Sequence, residues 1–124
     1  MSKEMVQMPD LSNYKMKNDR FRQARDGRSE VLGISCSNCS EPVMVYQKDG
    51  SGALIRCYLD RIAWPPNLSR LQEETELREL PNLACSSCDT VIGTPMVYRE
   101  ENRFAYRLIR GTFSKKVYKP ESTT

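Results

Sequence analysis

From residue 30 onward the apolar side chains come in short runs that alternate with polar ones, the two-residue period of half-buried strands. Residues 31–35 predict a first strand and residues 43–47 a second. Asp49, Gly50, Ser51 and Gly52 form a turn signal, because glycine accepts the positive φ of tight turns. Residues 53–59 then read as the return strand of a hairpin, with Ile55, Cys57 and Leu59 on its inner face and Arg56 and Tyr58 on the other. Trp64, Pro65 and Pro66 end that region, since proline cannot donate to a ladder. Asn67 is placed to cap a short helix over 68–76 with Leu68 and Leu71 inward; the same stretch also reads as an acidic surface loop, with Glu73, Glu74, Glu76 and Glu79 close together.

The pattern then repeats. Residues 90–93 and 96–98 predict strand, residues 99–102 a polar turn, and residues 103–109 a returning strand with Phe104, Tyr106 and Leu108 on one face. Gly111 marks a bend, and Phe113, Val117 and Tyr118 an edge strand on which Lys115 and Lys116 discourage stray pairing. The chain is therefore expected to be mainly β, as two small antiparallel sheets.

Residues 1–29 break this order. Apolar residues are sparse there, and Lys15, Lys17, Arg20, Arg22, Arg25 and Arg28 face only Asp19 and Asp26 over 15–28. The stretch reads as a flexible basic arm, residues 30–119 as the folded domain, and residues 120–124 as a tail.

Composition adds three constraints. The 124 residues suffice for one small domain, in which a cross-link between distant segments would matter. There is no histidine, which excludes Ser-His-Asp and Cys-His catalysis and histidine-ligated metals. The net charge of +3 conceals a strip over 103–119 with six basic residues and no acid. Arg103, Arg107, Arg110, Lys115 and Lys116 of that strip, with Arg22 and Arg25 of the arm, are the candidate contacts to a nucleic acid or an acidic partner. No secretory signal or membrane span is visible, and five cysteines is an odd number, so an intracellular reducing compartment, cytoplasm or nucleus, is expected.

The chemistry lies in two matching pairs, Cys36-Ser37-Asn38-Cys39 and Cys85-Ser86-Ser87-Cys88, with 45 residues between them. The two-residue gap lets two thiolates face one ion, and four thiolates complete a tetrahedral zinc shell. Such a shell leaves no position for water and is structural. Iron of the rubredoxin kind fits the same sulfurs; a thioredoxin-like redox pair lacks its βαβ context. Ser40 and Asp89 stand where a glycine often follows such a knuckle, so Ser37, Asn38, Ser86 and Ser87 are expected to make the turns. Cys57 falls on the inner face of its strand as a core residue.

Taken together, the two cysteine pairs, the gap of several dozen residues, Ile92-Gly93 just after the second pair and the basic, aromatic hairpin resemble the β-tent family. That family comprises Yippee-like proteins, the thalidomide-binding domain of cereblon and centromere-licensing relatives. The resemblance spans residues 31–118. It implies two sheets meeting at an angle, pinned by one zinc on Cys36, Cys39, Cys85 and Cys88. The aromatic cage of cereblon-type domains has no counterpart beyond Trp64, and Thr94 follows Gly93. A zinc ribbon with a long insert is the alternative fold. The expected function is a non-enzymatic structural-zinc interaction module, a subunit or accessory of a larger protein or ribonucleoprotein assembly. The alternatives are a small-molecule-binding domain and an RNA- or single-stranded-DNA-binding protein.

Overall fold

A computed structural model describes residues 16–25 and 27–117. Eight strands form two four-stranded antiparallel sheets. In chain order they are β1 (Ser29–Cys36), β2 (Pro42–Asp49), β3 (Arg56–Tyr58), β4 (Ile62–Trp64), β5 (Leu83–Ala84), β6 (Val91–Tyr98), β7 (Arg103–Leu108) and β8 (Phe113–Val117). The first sheet runs β4-β2-β1-β8 and the second β3-β7-β6-β5. A short helix α1 (Arg20–Ala24) precedes them, and α2 (Pro66–Ser69) continues into a 3-10 turn between β4 and β5.

The hairpins β1–β2 and β6–β7 are the sequence-local units, and both follow from the alternation. Leu32, Ile34 and Cys36 of β1 face inward and are buried, as are Met44 and Tyr46 of β2. From the other sheet Cys57, Leu83, Ile92 and Tyr106 meet them in one cluster. The buried tyrosine hydroxyls both find partners, as their burial requires. Tyr46 Oη accepts the Tyr58 amide at 2.8 Å, across the two sheets, and Tyr106 Oη donates to the Pro81 carbonyl at 2.7 Å.

One strand from each half of the chain joins the other sheet. β3 does not return along β2; it pairs with β7, Cys57 opposite Tyr106. The outer edge of β2 is taken by β4 instead, Tyr46 opposite Ile62. β8 crosses the other way and pairs with β1, Ile34 opposite Lys115. The expected hairpin of 43–47 with 53–59 is thus corrected. Alternation identifies the inner face of a strand but not its neighbour, and Cys57 is fully buried in either arrangement. Ile55 precedes β3 and is 56% exposed, against its expected inward position. The helix after Trp64 also starts earlier than expected: Pro65 occupies its N-cap and Asn67 lies inside α2, since proline suits the first turn. Leu68 and Leu71 pack against the core as expected.

The basic segment before residue 30 is not a free arm over its described part. Asp19 caps α1 by accepting the amides of Phe21 and Arg22. Gln47 holds the Lys17 backbone at both its N–H and its carbonyl, at 2.7 and 2.9 Å. Three arginines then fasten the helix to the sheets. Arg61, 1% exposed in its side chain, donates to Asp49 at 2.8 Å and to both oxygens of Asp19. Arg25 is bidentate on Glu101, 2.8 Å to each oxygen. Arg103 bonds Asp60 and Glu101 and lies 3.9 Å from the ring centroids of both Phe21 and Tyr58. Residues 1–15, Asp26, and 118–124, including Tyr118, Lys119 and the expected tail, lie outside the described residues.

These pairs carry an acid-side prediction. Bonds from Arg61 hold the Asp19 carboxyl at about 2, against an ordinary 3.8. Burial raises Asp49, but bonds from Ser29, Gln47 and Arg61 outweigh it and its pKa falls. Both groups bind a proton less readily folded than unfolded, so their stabilisation is present above about pH 4 and is lost as pH falls toward 2. Arg61→Ala strands two carboxylates and is expected to cost about 3 kcal/mol at neutral pH, with the mutant losing less on acidification than the parent. Urea unfolding at pH 7 and pH 3 measures both.

Candidate metal centre

The tips of two hairpins, one from each sheet, meet at the cysteines. The turn joining β1 to β2 holds Cys36 and Cys39, and the turn joining β5 to β6 holds Cys85 and Cys88. All four sulfurs lie within 4.8 Å of one another. Cys36 Sγ is 3.7 Å from Cys88 Sγ, and Cys39 Sγ is 3.5 Å from Cys85 Sγ. A tetrahedron with metal–sulfur bonds of about 2.3 Å has edges of about 3.8 Å, so the cluster is close to the size of one ion's shell. Cys36 and Cys85 are buried, Cys39 and Cys88 half-buried, and all five cysteines are free thiols.

The two turns are built alike. In the first, Cys36 N–H donates to the Glu41 carbonyl and Ser40 N–H to the Cys36 carbonyl. In the second, Cys85 N–H donates to Thr90 and Asp89 N–H to Cys85, with matching distances of 2.9 and 2.8 Å in each turn. The left-handed residue that closes them is Ser40 at φ 70° and Asp89 at φ 65°. The turns are therefore made after the second cysteine of each pair, not by Ser37, Asn38, Ser86 and Ser87. The side-chain cost there is accepted because the Cys-x-x-Cys geometry fixes where the chain must reverse.

Polar hydrogens already point at the sulfurs. Ser87 N–H lies 3.4 Å from Cys85 Sγ. Thr90 Oγ1 is 3.1 Å from Cys88 Sγ, and Asn38 Nδ2 donates to the same sulfur from the opposite turn at 3.4 Å. These contacts, led by the Thr90 hydroxyl, bring the Cys88 thiol down to about 6. Glu41 N–H lowers Cys39 in the same manner, but burial and the three neighbouring sulfurs outweigh it and push that thiol up to about 12. An ion bound by all four sulfurs would displace the thiol protons and offset the repulsion between neighbouring thiolates. Thr90 was not singled out from sequence, and Asn38 was expected to shape its turn rather than to reach a sulfur. A hydroxyl two residues past the second cysteine was the available signal for Thr90; the reach of Asn38 needs the two hairpins in place.

Ile92-Gly93 runs directly from the second turn into β6. Ile92 is fully buried, and a Cβ on Gly93 would stand 3.0 Å from the Arg107 carbonyl, so the β6–β7 approach needs glycine there.

The candidate binding residues do not form one surface. Arg103 is buried between Asp60, Glu101 and two rings, Arg25 is paired with Glu101, and Arg22 Nε bonds Ser29 Oγ. Arg107, Arg110, Lys115 and Lys116 are exposed, but Arg107 stands on the second sheet and the two lysines on β8 of the first, pointing to alternate faces. What sequence alone did not single out is the far-end cluster around Arg61, whose members are scattered from Asp19 to Glu101.

No protein-family model, curated protein or solved structure matches this chain. Among the described residues no helix is long and apolar enough to cross a membrane.

The left-handed turn residues give a test independent of the metal's identity. Ser40→Gly is expected to stabilise the protein by about 0.5–1 kcal/mol, and Asp89→Gly by less, because aspartate tolerates the left-handed region better than serine. Denaturant midpoints at constant metal content report both values.

Proposed function

We propose that the four sulfurs hold one structural Zn²⁺ and that the domain is a non-enzymatic interaction module of β-tent type. The observation that carries the metal reading is the size and closure of the sulfur cluster: two turns of the same build, N–H groups on the sulfurs, and a donor set that leaves no open position for a reacting ligand. Four thiolates and no imidazole or carboxylate favour zinc over harder ions. Two sheets joined through knuckles at their hairpin tips is the arrangement that the β-tent resemblance implies. The zinc would be bound by Cys36, Cys39, Cys85 and Cys88, and its chemistry would be that of a cross-link.

The surface that best supports partner binding is the outer edge of β8. This strand ends the first sheet, and its backbone has no further strand beside it among the described residues. Lys115 and Lys116 are exposed along it, Val117 is 46% exposed, and Arg110 and Ile109 project from the preceding turn. Main-chain pairing with an extended acidic segment of a partner protein uses all of these features. A nucleic-acid reading is less favoured, because Arg103 is internal and the remaining cations are divided between two sheets.

Native mass spectrometry of protein purified without chelator is expected to show one zinc per chain, and none in Cys88→Ser. Zinc affinity is expected to rise between pH 6 and pH 8, since each thiol must lose its proton, and chelation to lower the melting temperature. A metal-free protein with an unchanged melting temperature overturns the structural-zinc reading. For the partner surface, single-stranded RNA is expected to bind weakly, if at all, at physiological salt. Tight RNA binding that falls steeply with salt would replace the protein-partner reading.

A further inference from the structure

We propose that a cavity at the end of the domain remote from the cysteines binds a small phosphate-bearing molecule. This goes beyond the interaction-module reading and does not depend on the metal. The cavity has a volume of about 400 Å³, a size typical of sites for small organic ligands. It lies between the C-terminus of α1, the end of β2, the loop from Gly50 to Ile55, and β3. The eight residues of β2 separate it from the sulfur cluster by about 23 Å.

Two cations lining this cavity, Lys48 and Arg56, form no ion pair among the described residues. Lys48 is only 9% exposed, and among the described residues its ammonium donates to the Gly50 carbonyl alone, at 2.7 Å. Glu30 stands opposite it on β1 but makes no ion pair with it. With one neutral acceptor, the ammonium keeps donors free for an anion in the cavity that it lines. Arg56 is the second. Its Nε donates to Tyr58 Oη at 3.2 Å and its guanidinium sits 4.4 Å from the Tyr98 ring centroid. These contacts fix its orientation and leave both terminal nitrogens without a partner among the described residues. Arg56 is moreover directly opposite Arg107 in the β3–β7 ladder, a like-charge pair that an anion would relieve.

The nearby carboxylates do not serve these cations. Asp49 lines the cavity but is held by Arg61, Ser29 and Gln47. Glu101 is shared by Arg25 and Arg103, and Glu100 accepts from the Tyr98 hydroxyl. Arginines elsewhere in this cluster are each matched with acids; Lys48 and Arg56 are not. A phosphate accepts charge-assisted bonds from both at once. Beside them Leu54 and the exposed Ile55 form an apolar wall, which explains why an isoleucine of this exposure faces the same space and points to an organic group on the phosphate.

The loop is shaped for this proximity. Gly50 has φ 84°, and a Cβ there would stand 3.0 Å from Arg25 Cβ, so glycine lets the loop close against α1. The cavity therefore depends on the docking of α1.

The test is calorimetric titration and thermal shift of the zinc-loaded protein at constant ionic strength, with inorganic phosphate, adenosine monophosphate and adenosine. Both phosphate-bearing probes are expected to bind and to raise the melting temperature; adenosine is not. Arg56→Gln, whose side chain is only half-buried, is expected to weaken both phosphate probes by about tenfold or more. Ile55→Ser is expected to weaken the nucleotide and leave inorganic phosphate unchanged. Lys115→Gln, on the distant β8, is expected to change neither. Failure of both phosphate probes, equal binding of adenosine, or full binding by Arg56→Gln overturns the proposal.

Discussion

Four sulfur atoms gathered within the span of one ion's coordination shell set the terms for this fold. Their positions are fixed by two turns that belong to different sheets, so the sheets cannot change their mutual angle without separating the cluster. The reverse is also true. The inner residues of β1, β2, β6 and β7 place the hairpin tips together, and the apolar cluster around Tyr46, Leu83, Ile92 and Tyr106 lies immediately beneath. The same packing that buries the core thus brings the four sulfurs together, and an ion bound there would add a cross-link to a domain whose core is thin.

The opposite end is closed by different chemistry. Arginines 25, 61 and 103 bind acids drawn from α1, β2, the turn after β3 and the β6–β7 turn. Guanidinium groups suit this position because their flat faces stack on Phe21 and Tyr58 while their edges take two carboxylates. One Arg103 nitrogen, Nε, is buried without a partner among the described residues, the cost of placing a planar cation between two rings. An exposed arm would have needed none of this, and the cluster is the reason that the described basic segment belongs to the domain.

The cysteine site was legible in the sequence because spacing alone constrains metal ligands, and no histidine competed. The strands were legible where alternation was strong: β1, β2 and β7 fall within a few residues of expectation. The partners of β3 and β8 were not, because a two-residue period carries no information about neighbours more than about 40 residues away. The far-end cluster escaped for a related reason. Arg103 sits in a run of basic residues that reads as a solvated face, and only the folded arrangement supplies Asp60, Glu101 and the rings. The turn residues Ser40 and Asp89 were noticed for lacking glycine, yet they carry the positive φ themselves.

The exchange of strands between the sheets also constrains how the chain can be made. β1 acquires its second neighbour only when β8, the last described strand, has formed. β3 has no ladder to join until β7 exists, more than 40 residues later. As the polypeptide emerges from the ribosome, β1 therefore presents an open edge and β3 stays unpaired until residues 103–117 have been synthesised. Native pairing over such sequence distances is slow compared with local hairpin closure, so β1–β2 and β6–β7 are the pairings that can form first.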